Sequence, residues 1–284
     1  MAYPVASPLG PEAAVRLCSV GTETWEVLAV RQGTLSTRRS HVFLNHDVYG
    51  DPDAEIVMAY SFWVLRNDRT VILVDTGMSE FGARSRGRGF DRSTADALAD
   101  LGIEPDHVAL VILSHAHYDH IGGLSQLPGR PVTMSEDEYA FWRTPNSRRA
   151  LLRSVVDEAD LRHLDSVAEA GRLTLTTGVR EVAPGVVVVP APGHTPGEIA
   201  VLVKTGSGIV ALACDAAHLD EELDRDLPFR HQTDLLSMYE SLDLLRTIRA
   251  HAAVVEVVTG HDPSVQARHA SLPGLGHVSV IARH

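Results

Sequence analysis

Apolar positions fall into short runs broken by polar, glycine or proline residues, and the longer runs predict strands. Residues 25–30, 59–65 and 71–74 are rich in valine, leucine and aromatic residues, the composition of buried strands. The second and third of these are joined by Arg66-Asn67-Asp68-Arg69, a polar turn of hairpin length, and Asp75-Thr76-Gly77 closes the third. Ser93 or Thr94 caps a helix predicted through Leu101, with Leu98 and Leu101 on its apolar face and Gly102 at its end. Pro105 then introduces the run Val108-Ala109-Leu110-Val111-Ile112-Leu113, a predicted buried strand.

Residues 135–170 are expected to be mainly helical, opening on the acidic turn Ser135-Glu136-Asp137-Glu138. Tyr139, Phe141 and Trp142 follow, and aromatic residues at this spacing either belong to the core or line an apolar pocket. Strands are predicted at 173–176, 186–189, 199–203 and 209–213, with 253–258 as the last. Between the last two lies a helix over 235–250, where Leu235, Met238, Leu242 and Leu245 recur at helical spacing. Antiparallel strand runs in two sets, each followed by helices, predict two βα halves packed sheet to sheet with helices outside. Pro4, Pro8, Gly10 and Pro11 mark residues 1–20 as a loosely held extension, leaving 21–284 as one domain.

Composition narrows the partners. A hydrophobic content of 44% provides for a substantial core. The net charge of −12 and the lack of a basic run argue against a nucleic-acid partner. Lys204 is the only lysine, and the arginine excess reads as coding bias. Cys18 and Cys214 are too few for a disulfide framework and are not spaced as a zinc pair, which fits cytoplasmic conditions. Residues 1–10 lack the basic start and apolar run of a secretory signal, and no stretch has the length of a membrane span. A cytoplasmic protein without a membrane partner is expected.

The chemistry concentrates at strand ends. Directly after the run at 108–113 comes His115-Ala116-His117-Tyr118-Asp119-His120, then Gly122-Gly123. A buried strand ending in clustered ligand-type residues and a glycine turn describes a metal site. Three more strands end in candidates: His194 within Pro190-Ala191-Pro192-Gly193-His194-Thr195-Pro196-Gly197, Asp215 after Cys214, and His261 within Thr259-Gly260-His261-Asp262-Pro263. Loops anchored on strands aim such side chains into a cleft. Five histidines and two aspartates suffice for two metal ions sharing a carboxylate. Imidazole with carboxylate suits zinc, iron, nickel or copper, with manganese and cobalt still open. The lack of cysteine in the first cluster favours an open catalytic site over a closed structural one. Asp75, at a strand end, either orients a ligand histidine or is a turn residue. His231 could approach the cleft, whereas His41, His46, His107, His163, His251, His269, His277 and His284 are expected to take no part. No Gly-x-Ser-x-Gly elbow is present, which argues against a serine hydrolase.

The set His115-x-His117-x-Asp119-His120, His194, Asp215 and His261 resembles the metallo-β-lactamase superfamily, and within it the N-acyl homoserine lactonase branch. Val74-Asp75-Thr76-Gly77, Gly193-His194-Thr195-Pro196-Gly197 and Gly260-His261-Asp262 belong to the same resemblance, which runs from about residue 25 to 262. It implies an α+β fold, a four-layer αββα sandwich of two mixed β-sheets with helices on both outer faces. It also implies two divalent metal ions, zinc first among the candidates. His115, His117 and His194 would hold one ion, Asp119, His120 and His261 the other, with Asp215 bridging. A metal-bridging hydroxide would then open a lactone or carboxylic ester, with an N-acyl homoserine lactone as the leading small-molecule substrate. Asp119 would shuttle the proton in a monomer or homodimer. One position departs from the branch, which has a tyrosine three residues after the bridging aspartate to contact the substrate carbonyl. Here it is His218. Either His218 makes that contact through a ring nitrogen, or the substrate differs, or this histidine stands outside the reaction. The alternatives on the same fold are a thioester or phosphoester hydrolase and a mononuclear iron thiol dioxygenase. The flavin-partnered iron branch is disfavoured, because His117 stands where it carries a glutamate.

Overall fold

Successive residues of the first strand point into different apolar clusters, and this two-sided burial sets the layering. The computed structural model describes residues 23–284; the expected extension at 1–20, and Cys18 within it, lie outside the described residues. In β1 (Glu26–Arg38), Val27 and Ala29 join one cluster while Leu28 and Val30 join another. β2 (Glu55–Arg66) repeats the pattern, with Trp63 and Leu65 on the first side and Phe62 and Val64 on the second. A strand buried on both faces needs a continuous apolar run, which is what the sequence supplies here.

β3 (Val71–Val74), β4 (Val108–Ile112), β5 (Val132–Ser135) and β6 (Leu173–Thr176) extend this sheet, β2 to β3 antiparallel and the rest parallel. β7 (Arg180–Ala183), β8 (Val186–Pro190), β9 (Ile199–Thr205), β10 (Gly208–Cys214) and β11 (Val254–Thr259) build a second sheet. Its spatial order is β11-β10-β9-β8-β7, with only β10 and β11 parallel. β12 (Ser271–Leu272) and β13 (Leu275–Ala282) return to the first sheet, which then has eight strands in the order β12-β13-β1-β2-β3-β4-β5-β6.

The two sheets bury one shared cluster between them, with Trp25, Trp63, Ile72 and Ile112 facing Val186, Val201, Val210 and Leu212. The far face of the first sheet packs on Leu98 of helix Thr94–Asp100 and on Leu161 and Leu164 of helix Glu158–Glu169. The far face of the second packs on Leu223 of helix Asp220–Arg225 and on Leu242 and Leu245 of helix Leu235–Arg249. The result is the four-layer αββα sandwich of two mixed sheets. Among the described residues no helix is long and apolar enough to cross a membrane.

Several elements follow the sequence pattern closely. Ser93 caps helix Thr94–Asp100 in a reciprocal capping box with Asp96, and Asp234 caps helix Leu235–Arg249 by accepting from Leu236 and Ser237. Others depart from it. The strand at 253–258 is not the last, since β13 pairs antiparallel with β1, Leu28 opposite Val280 and Val30 opposite Val278. The chain is therefore not two successive halves: its C-terminal hairpin goes back to complete the first sheet. β5 (Val132-Thr133-Met134-Ser135) and β7 (Arg180-Glu181-Val182-Ala183) mix polar and apolar residues without an apolar run to mark them. β1 continues past its apolar run to Arg38, held by pairing with β2 rather than by its own composition.

Helix Glu158–Glu169 carries a carboxyl that is costly to ionise. Oδ2 of Asp160 is buried without a hydrogen-bond partner, and burial, with Asp157 adding to it, pushes the Asp160 carboxyl up to about 7 against the opposing Arg86. Because the folded value lies above the ordinary one, the native chain holds a proton there that the unfolded chain has lost. Its stability should therefore fall as pH rises from about 4 through about 7. Asp160→Asn should be more stable than the parent by about 1–3 kcal/mol near pH 8 and nearly equal to it near pH 4. Thermal midpoints across that range test this, and a pH-independent difference would refute it.

Candidate metal centre

Five strand ends converge on one edge of the sandwich. β3 delivers Asp75, β4 leads into His115, His117, Asp119 and His120, β8 leads into His194, β10 ends at Asp215 and β11 leads to His261. Two of these turns are strained: Asp75 (φ 61°) and Cys214 (φ 49°) adopt left-handed backbone without being glycine. Asp75 is held there by its side chain, which accepts from the Ser114 N–H at 2.7 Å and the Ser114 hydroxyl at 2.8 Å. The turn at His194 requires Gly193 at φ 132°, where a Cβ would lie 2.4 Å from the backbone nitrogen of Met238. At Gly260 the constraint is proximity, since a Cβ would sit 2.6 Å from Oδ1 of Asp215.

All the expected site residues come together, in a floor that is almost wholly buried. Asp215 lies at its centre. Its Oδ2 is 3.1 Å from His218 Nε2, 3.3 Å from His120 Nε2 and His261 Nε2, 3.4 Å from His194 Nε2 and 3.9 Å from His115 Nε2. His117 joins through Nδ1, 2.9 Å from His194 Nε2. Asp119 Oδ2 lies 3.8 Å from His261 Nε2 and 3.9 Å from His120 Nε2. Donor atoms lie within 4.8 Å of one another in four groups: His115, His117 and His194; His115, His120 and Asp215; Asp119, His120 and His261; and His194, Asp215 and His218. Among the described residues, none of the eight histidines expected to take no part belongs to such a group.

The outward nitrogens explain why the inward ones need a cation. His194 Nδ1 donates to the His231 carbonyl at 2.8 Å, and His261 Nδ1 donates to the Ala59 carbonyl at 2.8 Å. His120 Nδ1 lies 2.8 Å from Oδ2 of Asp75 and donates to it. A neutral imidazole with its proton on Nδ1 presents a lone pair at Nε2. Three such lone pairs therefore face an anionic carboxylate oxygen, an arrangement that repels unless positive charge lies between. Nε2 of His115 and of His120, and Oδ1 of Asp215, are buried without hydrogen-bond partners. A donor set of imidazole and carboxylate with lone pairs left open fits divalent ions.

The electrostatics divide the rings, keeping three of them neutral and leaving His120 to carry charge. Burial, reinforced by neighbouring imidazoles, holds His115 and His194 well below the usual histidine range. Burial likewise lowers His117, with Asp215 opposing. Burial would also lower His120, but Asp215, Asp75 and Asp119 outweigh it and hold that ring well above. Asp215, which burial alone would raise, is held well below the carboxylate range by His120, His261 and His218.

Two adjoining cavities open above this floor. The smaller, about 480 Å³, reaches Asp119, His194, Asp215, His218 and His261 directly. The larger, about 700 Å³, shares His117 and His194 with it and has an apolar wall of Phe43, Leu44, Trp142, Leu151 and Val155. Trp142 thus lines a pocket, its ring centroid 5.9 Å from that of His117, whereas Tyr139 and Phe141 pack against the core. His231 lines both cavities and reaches the floor through its backbone carbonyl rather than its ring.

Three carboxylates that sequence reasoning passed over complete the arrangement. Glu198 Oε2 lies 3.0 Å from His115 Nδ1, and its Oε1 accepts from the Asp215 N–H. Glu138 accepts from the Ala116 and Gly197 N–H groups and from the Trp142 ring, tying the first histidine loop to the loop of His194. Glu222 accepts from the N–H groups of His218 and Leu219. Glu198 had a local signal, since it ends the Thr195-Pro196-Gly197-Glu198 turn at the start of a strand. Glu138 and Glu222 read as ordinary acidic first turns of helices, and nothing local marks them as buried.

A model of the metallo-beta-lactamase superfamily matches residues 57–261. The chain belongs to that superfamily. N-acyl homoserine lactonase AiiA of Bacillus thuringiensis subsp. kurstaki is 27% identical to this superfamily member over 216 residues, 70% of this chain and 80% of the relative. N-acyl homoserine lactonase AttM of Azorhizobium caulinodans is 33% identical over 186 residues, 61% and 65% of the two chains. Among solved structures, a quorum-quenching N-acyl homoserine lactone lactonase superposes with a TM-score of 0.71 at 24% identity, covering 88% of this chain and 98% of its own. AidC, a dizinc quorum-quenching lactonase, gives 0.68 at 22% identity, with 86% and 90% covered. This metallo-β-lactamase member has the fold of the lactonase branch and is a metal-dependent hydrolase.

Asp75→Asn tests the orienting carboxylates. Asparagine still accepts from Ser114 but no longer fixes the proton of His120 on Nδ1 with an anionic acceptor. With zinc added as the probe ion, the variant should lose it to a competing chelator about 10–100-fold more readily than the parent, with its fold retained by circular dichroism. Unchanged zinc retention would show that Asp75 serves the turn alone.

Proposed function

We propose that the chain hydrolyses a lactone or carboxylic ester at a pair of divalent ions, with N-acyl homoserine lactones as the leading substrate class. One observation carries the reading: imidazole lone pairs, fixed from behind, converge on the Asp215 carboxylate beneath a cavity able to take a small molecule. The resemblance to AiiA and AttM, which are N-acyl homoserine lactonases, supports the substrate class. His115, His117 and His194 would hold one ion, Asp119, His120 and His261 the second, with Asp215 between them. Zinc heads the candidates, since neutral imidazole and carboxylate suit it and AidC is a dizinc lactonase. When bound, such a pair supplies hydroxide near neutral pH and polarises a carbonyl oxygen.

The remaining work falls to the chain itself, acting through residues 21–284 as one domain. Asp119 stands at the cavity edge of the floor, where its carboxylate can take the proton of the attacking water and pass it to the departing alkoxide. His218 belongs to the same machinery beside Asp215. The apolar wall of the larger cavity suits an acyl tail, so that burial of the tail holds the polar ring over the floor.

A phosphoester is the second reading, favoured by arginine in the smaller cavity. Arg88 lines it half-buried and donates to the Tyr118 hydroxyl and the Arg86 carbonyl rather than to a carboxylate. The mononuclear iron dioxygenase reading finds less support, since Asp119, His120 and His261 form a second donor group that a single ion leaves unused.

The purified chain should retain two zinc ions and release acid from an N-acyl homoserine lactone. Chelation should remove both properties, and added zinc should restore them. Asp215→Ala should lose the second ion, and Asp119→Asn should lower kcat about 10²-fold or more. Inert lactones alongside turnover of p-nitrophenyl phosphate would move the assignment to the second reading, and full activity without metal would sink both.

A further inference from the structure

We propose that His218 is itself a metal ligand, an additional donor on the His194 side of the centre, and not the hydrogen-bond donor to the substrate carbonyl. The inference rests on the metal-centre reading above and adds a residue to it.

The position of the ring comes first. His218 follows Asp215 in the turn between β10 and helix Asp220–Arg225, and it is 1% exposed. Its Nε2 lies 3.1 Å from Asp215 Oδ2, the shortest of the five imidazole approaches to that oxygen. With donor atoms of His194 and Asp215 it forms a group whose members lie within 4.8 Å of one another. A residue contacting a substrate carbonyl would have to reach above the floor. The His218 ring borders the smaller cavity, but its Nε2 is turned to Asp215 in the floor.

Its backing is that of a ligand. Ligating histidines usually carry a carboxylate or carbonyl behind the ring, which fixes the tautomer and aims the other nitrogen. His120 has Asp75 at 2.8 Å and His115 has Glu198 at 3.0 Å. His218 has Glu222, whose Oε1 lies 3.5 Å from Nδ1. That carboxylate is immobilised, because the same oxygen accepts the N–H groups of His218 and Leu219 at 3.0 Å each.

The ring cannot easily turn away. Phe229 stacks on it at 3.5 Å between centroids and 14° between planes, and His261 lies nearly parallel on its other side at 5.4 Å and 17°. Neither ring nitrogen has a hydrogen-bond partner of acceptable geometry, although both are buried. Leaving such a group unsatisfied is costly, and a ring already held in place loses that cost on coordination. The tyrosine of the resembled branch and this histidine therefore do different things at one position. The change moves a side chain from the substrate to the ion, and the carbonyl contact must come from elsewhere in the smaller cavity.

The test uses full-length protein loaded with zinc or cobalt. Competition against a chromophoric chelator should show two binding steps in the parent, one of them at least about 10-fold weaker in His218→Gln. The visible cobalt spectrum of that variant should change in intensity as one imidazole leaves. Identical affinities and spectra would overturn the proposal. A crystal structure of the zinc-loaded parent decides even if the variant folds poorly: Nε2 within about 2.0–2.2 Å of an ion supports it, and separation beyond hydrogen-bond range overturns it. A parent that binds no ion would refute the metal centre itself, whereas one that binds two with His218 apart would refute only the added ligand.

Discussion

The structure turns on one carboxylate oxygen. Oδ2 of Asp215 lies within 3.9 Å of five imidazole nitrogens, in a floor that is almost wholly buried. Three of these rings commit their outer nitrogens to acceptors, which leaves their inner nitrogens turned to the carboxylate. Everything around the floor maintains this convergence. The backbone carbonyls of Ala59 and His231 fix two rings, and Asp75 fixes a third. The bare glycine at 260 lets β11's exit loop close on Asp215. Strain at Asp75 and Cys214 is tolerated because several bonds determine the first of these turns and deep burial surrounds the second.

The four layers serve the same end. Donors that come from both sheets need those sheets to be fixed relative to each other, and the apolar cluster between them does this. β4 supplies the first histidine loop from one sheet, while β8, β10 and β11 supply the rest from the other. Glu138 then bonds the two histidine loops directly. A hinge between the sheets would separate the donors, so here the rigidity of the core is a functional requirement. The cavities, by contrast, are walled in part by the connecting segments 39–53 and 228–233, whose side chains are tied to the floor only where they touch it, as Phe229 does at His218.

Which parts were legible in the sequence follows from range. Strands announce themselves as apolar or β-branched runs, so β1 to β4, β6 and β8 to β11 were visible, and the strand ends marked the donors. The helix at 94–100 was visible because its cap is a local pattern. β5 and β7 were not, because polar residues break up their apolar positions, and the return of β13 to β1 joins residues far apart in the chain. The same rule divides the site. Histidines stand out by type, whereas the carbonyl of Ala59 has no side-chain signature at all. Glu222 looks like any acid in a first helical turn, and only its complete burial sets it apart.

Charge balance links the site to folding. Asp75, Glu138, Glu198, Asp215 and Glu222 are all buried, and the first four gather around the histidine loops. Burial raises Glu198 and Glu138, while Asp215 stays ionised only because His120, His261 and His218 face it. Positive charge at the centre is thus required by the fold whether or not chemistry is under way. Protons on the histidines can supply it, and so can divalent ions that take the same lone pairs. The two compete, so loading the centre must release protons, and affinity must rise with pH while those rings are still titrating. Folding and charge at the centre are then linked: the core brings five strand ends together, and positive charge, from protons or from bound metal, offsets the electrostatic cost of holding them there.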